Sequence, residues 1–226
     1  MQPDSGEHKV PASIANDSDW RLYQELAAQA DVLLVSARYI RELAVNTAQD
    51  SLPVSEKTEF TDLHEWRREQ NLQPKPAVVI LSASLDIPLE KITNEQDRQI
   101  YVATGERASA EKVRRLQDKG AKMLFTGQYD VEGERLIQAL SDEGFRSVYS
   151  VAGPGVFETL IKASVLDRLY LTQVHRLLGG ESYDTLLEGK QLNVPADFSM
   201  QELYFDTQDS ENSGQLYSVY DALAST

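Results

Sequence analysis

Ser147-Val148-Tyr149-Ser150-Val151-Ala152-Gly153-Pro154-Gly155-Val156-Phe157-Glu158-Thr159-Leu160-Ile161 is the stretch on which the fold turns. A short β-rich run ends in Gly-Pro-Gly, and a helical apolar pattern begins at once with Val156, Phe157, Leu160 and Ile161. Glycine lets main chain approach a ligand closely. A helix start aimed out of such a turn offers free N–H groups and partial positive charge, which suit a phosphate. The same residues equally make an ordinary strand-to-helix connection.

Upstream, residues 1–16 are polar and carry Pro3 and Pro11, reading as an irregular arm before a single domain over 17–226. Asp17 or Ser18 is placed to cap a helix with Trp20, Tyr23, Leu26, Ala27 and Ala30 on one face. The apolar runs 32–35 and 77–81 read as strands buried on both faces. Further strands are predicted over 99–103 and 123–125, with helices over 109–118 and 131–142 closed by Gly120 and Gly144. A short helix is expected near 63–66 inside a proline-bearing loop.

Downstream, 168–174 reads as a strand, and 200–205 with 215–220 as an antiparallel hairpin. Strands alternating with helices imply βαβ units and a mostly parallel sheet, made mixed by the closing hairpin. Ligands then belong at the carboxyl ends of the strands.

The composition narrows the chemistry. With 36 acidic against 22 basic residues the formal charge is −14, which repels nucleic acid and anionic membrane. The short basic clusters Arg67-Arg68 and Arg114-Arg115 read as solvated helix faces. Absence of cysteine excludes disulfides and thiolate catalysis, and fits a reducing compartment. No apolar run reaches membrane-span length. Neither a Gly-x-Ser-x-Gly elbow nor a P-loop occurs, and His8, His64 and His175 lack metal-ligand spacing. A standard dinucleotide fingerprint needs glycine where Glu158 stands. What remains are small-residue turns after apolar strands: Ser36-Ala37, Ser82-Ala83-Ser84, Thr104-Gly105, Gly153-Pro154-Gly155 and Gly179-Gly180. On a parallel sheet they gather along one edge, where bare backbone and hydroxyls suit an extended phosphate-rich molecule such as a dinucleotide.

The order of these turns resembles the reductase domain of the riboflavin-biosynthesis deaminase-reductases, over about 19–223. "Ala-Asp-x-(Ile/Val)-Leu-Val-Gly" falls on 30–36, and "Val-Val-Leu-Asp-Ser-x-Leu-x-(Ile/Leu)-Pro" on 79–88. "Val-Glu-Gly-Gly-x-x-(Leu/Val)" falls on 151–157, "Leu-(Val/Leu)-Asp-Glu-Leu-x-Leu" on 165–171 and "Pro-x-Leu-Leu-Gly-Gly" on 175–180. The resemblance implies a dihydrofolate reductase-like three-layer α/β fold. It also implies a cytoplasmic homodimer that uses NADPH to turn the ribosyl group of a ribosylaminopyrimidine phosphate into ribityl. By similarity, Gly153, Pro154, Gly155, Val156 and Phe157 line the nicotinamide and pyrophosphate, and Ser36, Ala37 and Arg38 lie under the phosphates. Ser82 and Ser84 fall near the adenosine 2′-phosphate, Thr104 and Gly105 at the adenine, and His175, Gly179 and Gly180 at the substrate. A cis peptide is expected at Gly153-Pro154, since X-Pro bonds reach cis most cheaply.

Departures from the family pattern leave other readings open. Ala152 stands where the family has a substrate-contacting or proton-handling Glu, so the general acid is unassigned. Ser36-Ala37-Arg38-Tyr39 replaces a glycine-rich turn, and His175 replaces a proline. The family opens with a strand and a Ser-x-Asp-Gly turn, and Met1-Gln2-Pro3-Asp4-Ser5-Gly6 resembles the region just after it; the reading frame is expected to extend upstream. The alternatives are a related NADPH reductase with another substrate and a catalytically silent nucleotide-binding protein.

Overall fold

Near-continuous apolar runs become strands covered on both sides. The computed structural model describes residues 16–48, 52–92, 98–177, 185–187, 189–207 and 214–223. Five strands, β1 (Val32–Ser36), β2 (Ala77–Leu81), β3 (Ile100–Thr104), β4 (Lys122–Phe125) and β5 (Val148–Ser150), pair in parallel. Their order is β4-β3-β2-β1-β5.

Helices α2 (Ala37–Ala44) and α4 (Ala110–Asp118) bury Ile40 and Leu116 against Val35, Val78, Ile80 and Val102 on one face. On the other, α5 (Gly133–Asp142) and α6 (Pro154–Lys162) bury Leu136, Leu140 and Leu160 against Leu34, Val79 and Tyr101. Alternate residues of each strand thus feed two separate cores, and the architecture is the expected three-layer α/β fold. Gly120 and Gly144 end α4 and α5 with φ of +88° and +91°, conformations that side chains rarely adopt.

The last strands depart from the expected mixed sheet. β6 (Arg168–Val174), β7 (Phe198–Asp206) and β8 (Gln215–Ala222) form an antiparallel sheet of their own, in the order β6-β8-β7. The hairpin therefore pairs with β6, and β5 and β6 each leave one edge unpaired among the described residues. The two sheets are linked instead through α1 (Asp17–Ala28), where Thr172 of β6 donates to Asp19 at 2.6 Å and Tyr23 meets Tyr149 with ring centroids 6.4 Å apart.

Two local expectations are corrected. Asn16, not Asp17 or Ser18, caps α1, because its Oδ1 accepts from the Ser18 amide at 2.7 Å. Arg67, on α3 (Thr61–Glu69), is no solvated side chain: it is 1% exposed. Its guanidinium donates to the carbonyls of Ala28, Ala30 and Gln73 at 2.6, 2.8 and 2.8 Å. α1 has no basic residue in its own last turn, so Arg67 supplies the cation at that carbonyl end.

Candidate active site

Parallel registry brings the carboxyl ends of β5, β1, β2 and β3 to one edge, about 14 Å long at the usual strand spacing. The turns at Ser36, Ser82, Thr104 and Gly153 all lie on that edge. β1 stands between β2 and β5, so the chain departs to opposite sides there, and the crevice outside such a switch point is where open α/β sheets hold ligands. The start of α2 flanks it on one side and the start of α6 on the other.

The two helix starts differ. Ser36 caps α2, its Oγ accepting from the Tyr39 amide at 3.1 Å, while Ala37 is buried and Arg38 pairs with Glu42 at 2.8 Å. At α6 the capping position is Gly153, in extended conformation (φ −73°, ψ −173°), and no side chain caps the helix. Pro154 occupies the first turn, where its missing N–H costs nothing and its fixed φ matches the helix. The Gly153-Pro154 peptide is not cis, which corrects the expectation: a proline already placed for helix needs no isomer change. Among the described residues the cis peptide is Pro53-Val54.

Space divides the two edge glycines. A Cβ at Gly153 would meet nothing within 4 Å, so the main chain there is open. At Gly105 it would meet the Tyr129 carbonyl carbon at 2.4 Å, so the protein's own backbone uses that room. Beside Gly105, the Thr104 hydroxyl is buried with no hydrogen-bond partner among the described residues, as is that of Thr126 on the next strand end. Val156 is buried in the core under α6, and Phe157 is partly exposed.

At the end of β2 the hydroxyl of Ser82 is spent on the Leu85 amide (3.0 Å), while Ser84 stays exposed. Sequence reading missed what surrounds this turn. Lys112 Nζ donates to the Ser84 carbonyl at 2.9 Å, Arg115 to that of Leu85 at 3.5 Å and Arg41 to that of Asp86 at 3.1 Å. Three cations from two helices thus converge on one exposed turn, held by carbonyls. Only the fold brings them together, since they lie 26 to 33 residues from Ser82-Asp86 or on a preceding helix.

A hollow of about 1030 Å³ opens between β5 and β6, lined by Tyr149, Ala152, Gly153, Phe157 and Tyr170 among others. Asp167, Arg168 and Leu169 complete its wall at the start of β6; outside that lining, Thr172 donates to the Asp19 carboxylate at 2.6 Å. Burial pushes the Tyr149 phenol well above its ordinary range, with the Asp19 charge adding, so it stays protonated at neutral pH. Tyr217, across from Thr172 on β8, is pushed up to about 12, first by burial and then by Asp19 and Asp206. His175 follows β6 and lies tilted against Phe205, ring centroids 5.5 Å apart. Gly179 and Gly180 lie outside the described residues. No group of three or more His, Asp or Glu among the described residues is arranged to hold a metal, and no described helix is long and apolar enough to cross a membrane.

Comparison with known proteins gives a consistent picture. The family model described as "RibD C-terminal domain" matches residues 3–214. The 2,5-diamino-6-ribosylamino-4(3H)-pyrimidinone 5′-phosphate reductase of Aquifex aeolicus is 22% identical over 179 residues, 79% of this chain and 71% of that protein. A pyrimidine reductase-like protein from Corynebacterium diphtheriae superposes with a TM-score of 0.71 at 17% identity, covering 95% of this chain and 85% of that one. RibD of Acinetobacter baumannii superposes with a TM-score of 0.63 at 14% identity over 93% of this chain, which spans about half (52%) of that longer protein. At these identities the two structures speak for the fold.

Proposed function

The chain belongs to the RibD C-terminal domain family, and from that membership we propose that it reduces a ribosylaminopyrimidine phosphate to the ribityl compound in riboflavin biosynthesis, with NADPH as reductant. The observation that carries this reading is the family match through 3–214, which takes in every turn at the sheet edge. NADPH, when bound, supplies a hydride to the ribose C1′. The bond from C1′ to the ring oxygen breaks, and that oxygen takes up one proton.

The protein's part is placement. Gly153 offers open main chain and an uncapped helix start, which suit the nicotinamide and pyrophosphate, with Pro154, Gly155, Val156 and Phe157 completing that wall. Ser36, Ala37 and Arg38 form the phosphate side at the start of α2. Thr104 and Gly105 are assigned to the adenine side of the edge by the family resemblance. Ser82 and Ser84 with Lys112, Arg41 and Arg115 make a strongly cationic turn on this edge, suited to the extra phosphate that distinguishes NADPH from NADH. His175, Gly179 and Gly180 are assigned to the substrate. The protein works as a cytoplasmic homodimer, without nucleic-acid or membrane partners.

Ala152 favours one second reading, a related NADPH reductase with another substrate, because the wall of the hollow lacks a carboxylate at that position. The test is direct. Purified protein is mixed with NADPH and the ribosylaminopyrimidine phosphate, and NADPH oxidation and ribityl product are followed. Coupled turnover is expected; stabilisation by NADPH without turnover of this substrate establishes the second reading. No response to NADPH or NADH, in melting or in turnover, leaves only the catalytically silent reading.

A further inference from the structure

The antiparallel sheet β6-β8-β7 has two unlike faces. Residues directly opposite each other on an antiparallel ladder point to the same side, so Leu171, Ser218 and Leu203 stand in one row across the three strands. The rows on either side add Met200 and Phe205 from β7, and none of the three rows contains Asp, Glu, Lys or Arg. The other face carries Glu202, Asp206 and the Arg168–Asp221 pair at 2.7 Å, and it meets α1 where Thr172 donates to Asp19. The charge-free face lies open along β7: Met200, Leu203 and Phe205 are 51%, 57% and 46% exposed. It is about 14 Å wide and about 20 Å long. An apolar patch of that order on a protein surface marks an interaction site.

We propose that two copies of the chain meet on this face, sheet against sheet about a two-fold axis. The inference gives the homodimer of the proposed function its surface, and it rests on that part of the reading alone. At a net charge of −14 each, two copies repel one another, and close approach favours an area with no charge to desolvate. A partner of opposite charge finds nothing to pair with here, so affinity comes from apolar fit. In a two-fold contact the same patch serves both sides, and the surface has only to complement itself. Ser218, 6% exposed, is the low point of the central row, between Leu171 and Leu203. It leaves room for a leucine of the second copy to enter, as side chains interdigitate between packed sheets.

Sedimentation equilibrium on the full chain, over a wide range of protein concentration, tests the proposal. The unmodified protein is expected at twice the 25.3 kDa of one chain. Leu203→Glu places a carboxylate on the face in both copies and is expected to weaken the dimer by about 100-fold or more, so that single chains dominate. Tyr204→Glu is the control: the next residue of the same strand, 62% exposed and on the opposite face, is expected to leave the dimer intact. Both side chains are more than half exposed, so both variants are expected to fold. If Leu203→Glu does not fold, Met200→Lys in the adjacent row decides in the same way. A dimer that survives Leu203→Glu, or one that Tyr204→Glu splits equally, puts the contact elsewhere and overturns this face while the homodimer stands. An unmodified chain that stays single at every concentration removes the homodimer and this inference together, and leaves the reductase reading to its own test of NADPH turnover.

Discussion

Gly105 lies against the main chain of Tyr129 so closely that a Cβ would sit 2.4 Å from the Tyr129 carbonyl carbon and 2.6 Å from its oxygen. The neighbour is backbone, not the end of a flexible side chain, so it moves only with the loop after β4. That loop is itself tied down, the Glu106 and Arg107 amides donating to the carbonyls of Gly127 and Gln128 at 2.8 and 3.0 Å. Gly105→Ala is therefore expected to destabilise the fold by about 1–3 kcal/mol. A thermal melt showing no loss would mean that the β3 and β4 loops separate freely.

On the proposed function, the cations around Ser84 are expected to set the choice of reductant. Lys112 and Arg41 hold carbonyls of the turn and have no carboxylate partner among the described residues, so each has charge to spare for a phosphate. Replacing either by Ala is expected to raise KM for NADPH about tenfold while leaving NADH use nearly unchanged, with the difference shrinking in high salt. Steady-state kinetics with both reductants decide the point. Equal losses for the two would place the extra phosphate elsewhere.

Arg67 tests how the first helix is held. Burial lowers its pKa to about 10, with Asp31 opposing, so it remains charged at neutral pH. Arg67→Met fills the volume but leaves three carbonyls without their donor. A loss of about 2–4 kcal/mol is expected, read as a shift in the urea midpoint. A neutral result would show that water replaces the guanidinium at those carbonyls.

What the sequence made legible follows from how local each signal is. The runs at 32–35 and 77–81 are strands because a parallel strand is apolar on both sides, and that pattern is written in consecutive residues. Gly120 and Gly144 mark helix ends by conformational need at a single position. The pairing of β8 with β6 in a separate sheet is a long-range choice with no local mark. Arg67 looked like a surface residue beside Arg68 because only the tertiary fold shows that α1 ends under it. The turn at Ser82-Ala83-Ser84 was readable, but its ring of Arg41, Lys112 and Arg115 arises from two helices that meet only in space.

Acid pH should weaken the fold through identifiable pairs. Arg21 donates to Asp62, and Lys75 pairs with Glu56 at 2.7 Å. Those hydrogen bonds hold both carboxyl groups below their ordinary range, as Lys119 does for Glu90. A carboxyl group lowered in the folded state contributes stability above its unfolded value, and that contribution is lost as pH falls through the folded one. Tm is expected to hold near neutrality and to fall below about pH 4.5, less steeply in Asp62→Asn. The carboxyl partners of these pairs are exposed and each pair contributes little, so the effect should shrink in salt. A melting temperature flat from neutral pH into the acid range would remove them from the account.

Gly153 separates structure from chemistry at the centre of the site. Its φ of −73° is open to any residue, and a Cβ there meets nothing within 4 Å. The fold should therefore accept Gly153→Ala at a cost of a few tenths of a kcal/mol, since alanine is the weaker cap. A bound nicotinamide nucleotide lying against that main chain would meet the new methyl group directly. The expected result is a protein that melts as before but gains little stability from NADPH, where the unmodified chain gains about 2.7 kcal/mol at 100 times Kd. Equal stabilisation of the two by NADPH would move the reductant away from α6, and the assignment of Gly155, Val156 and Phe157 would go with it.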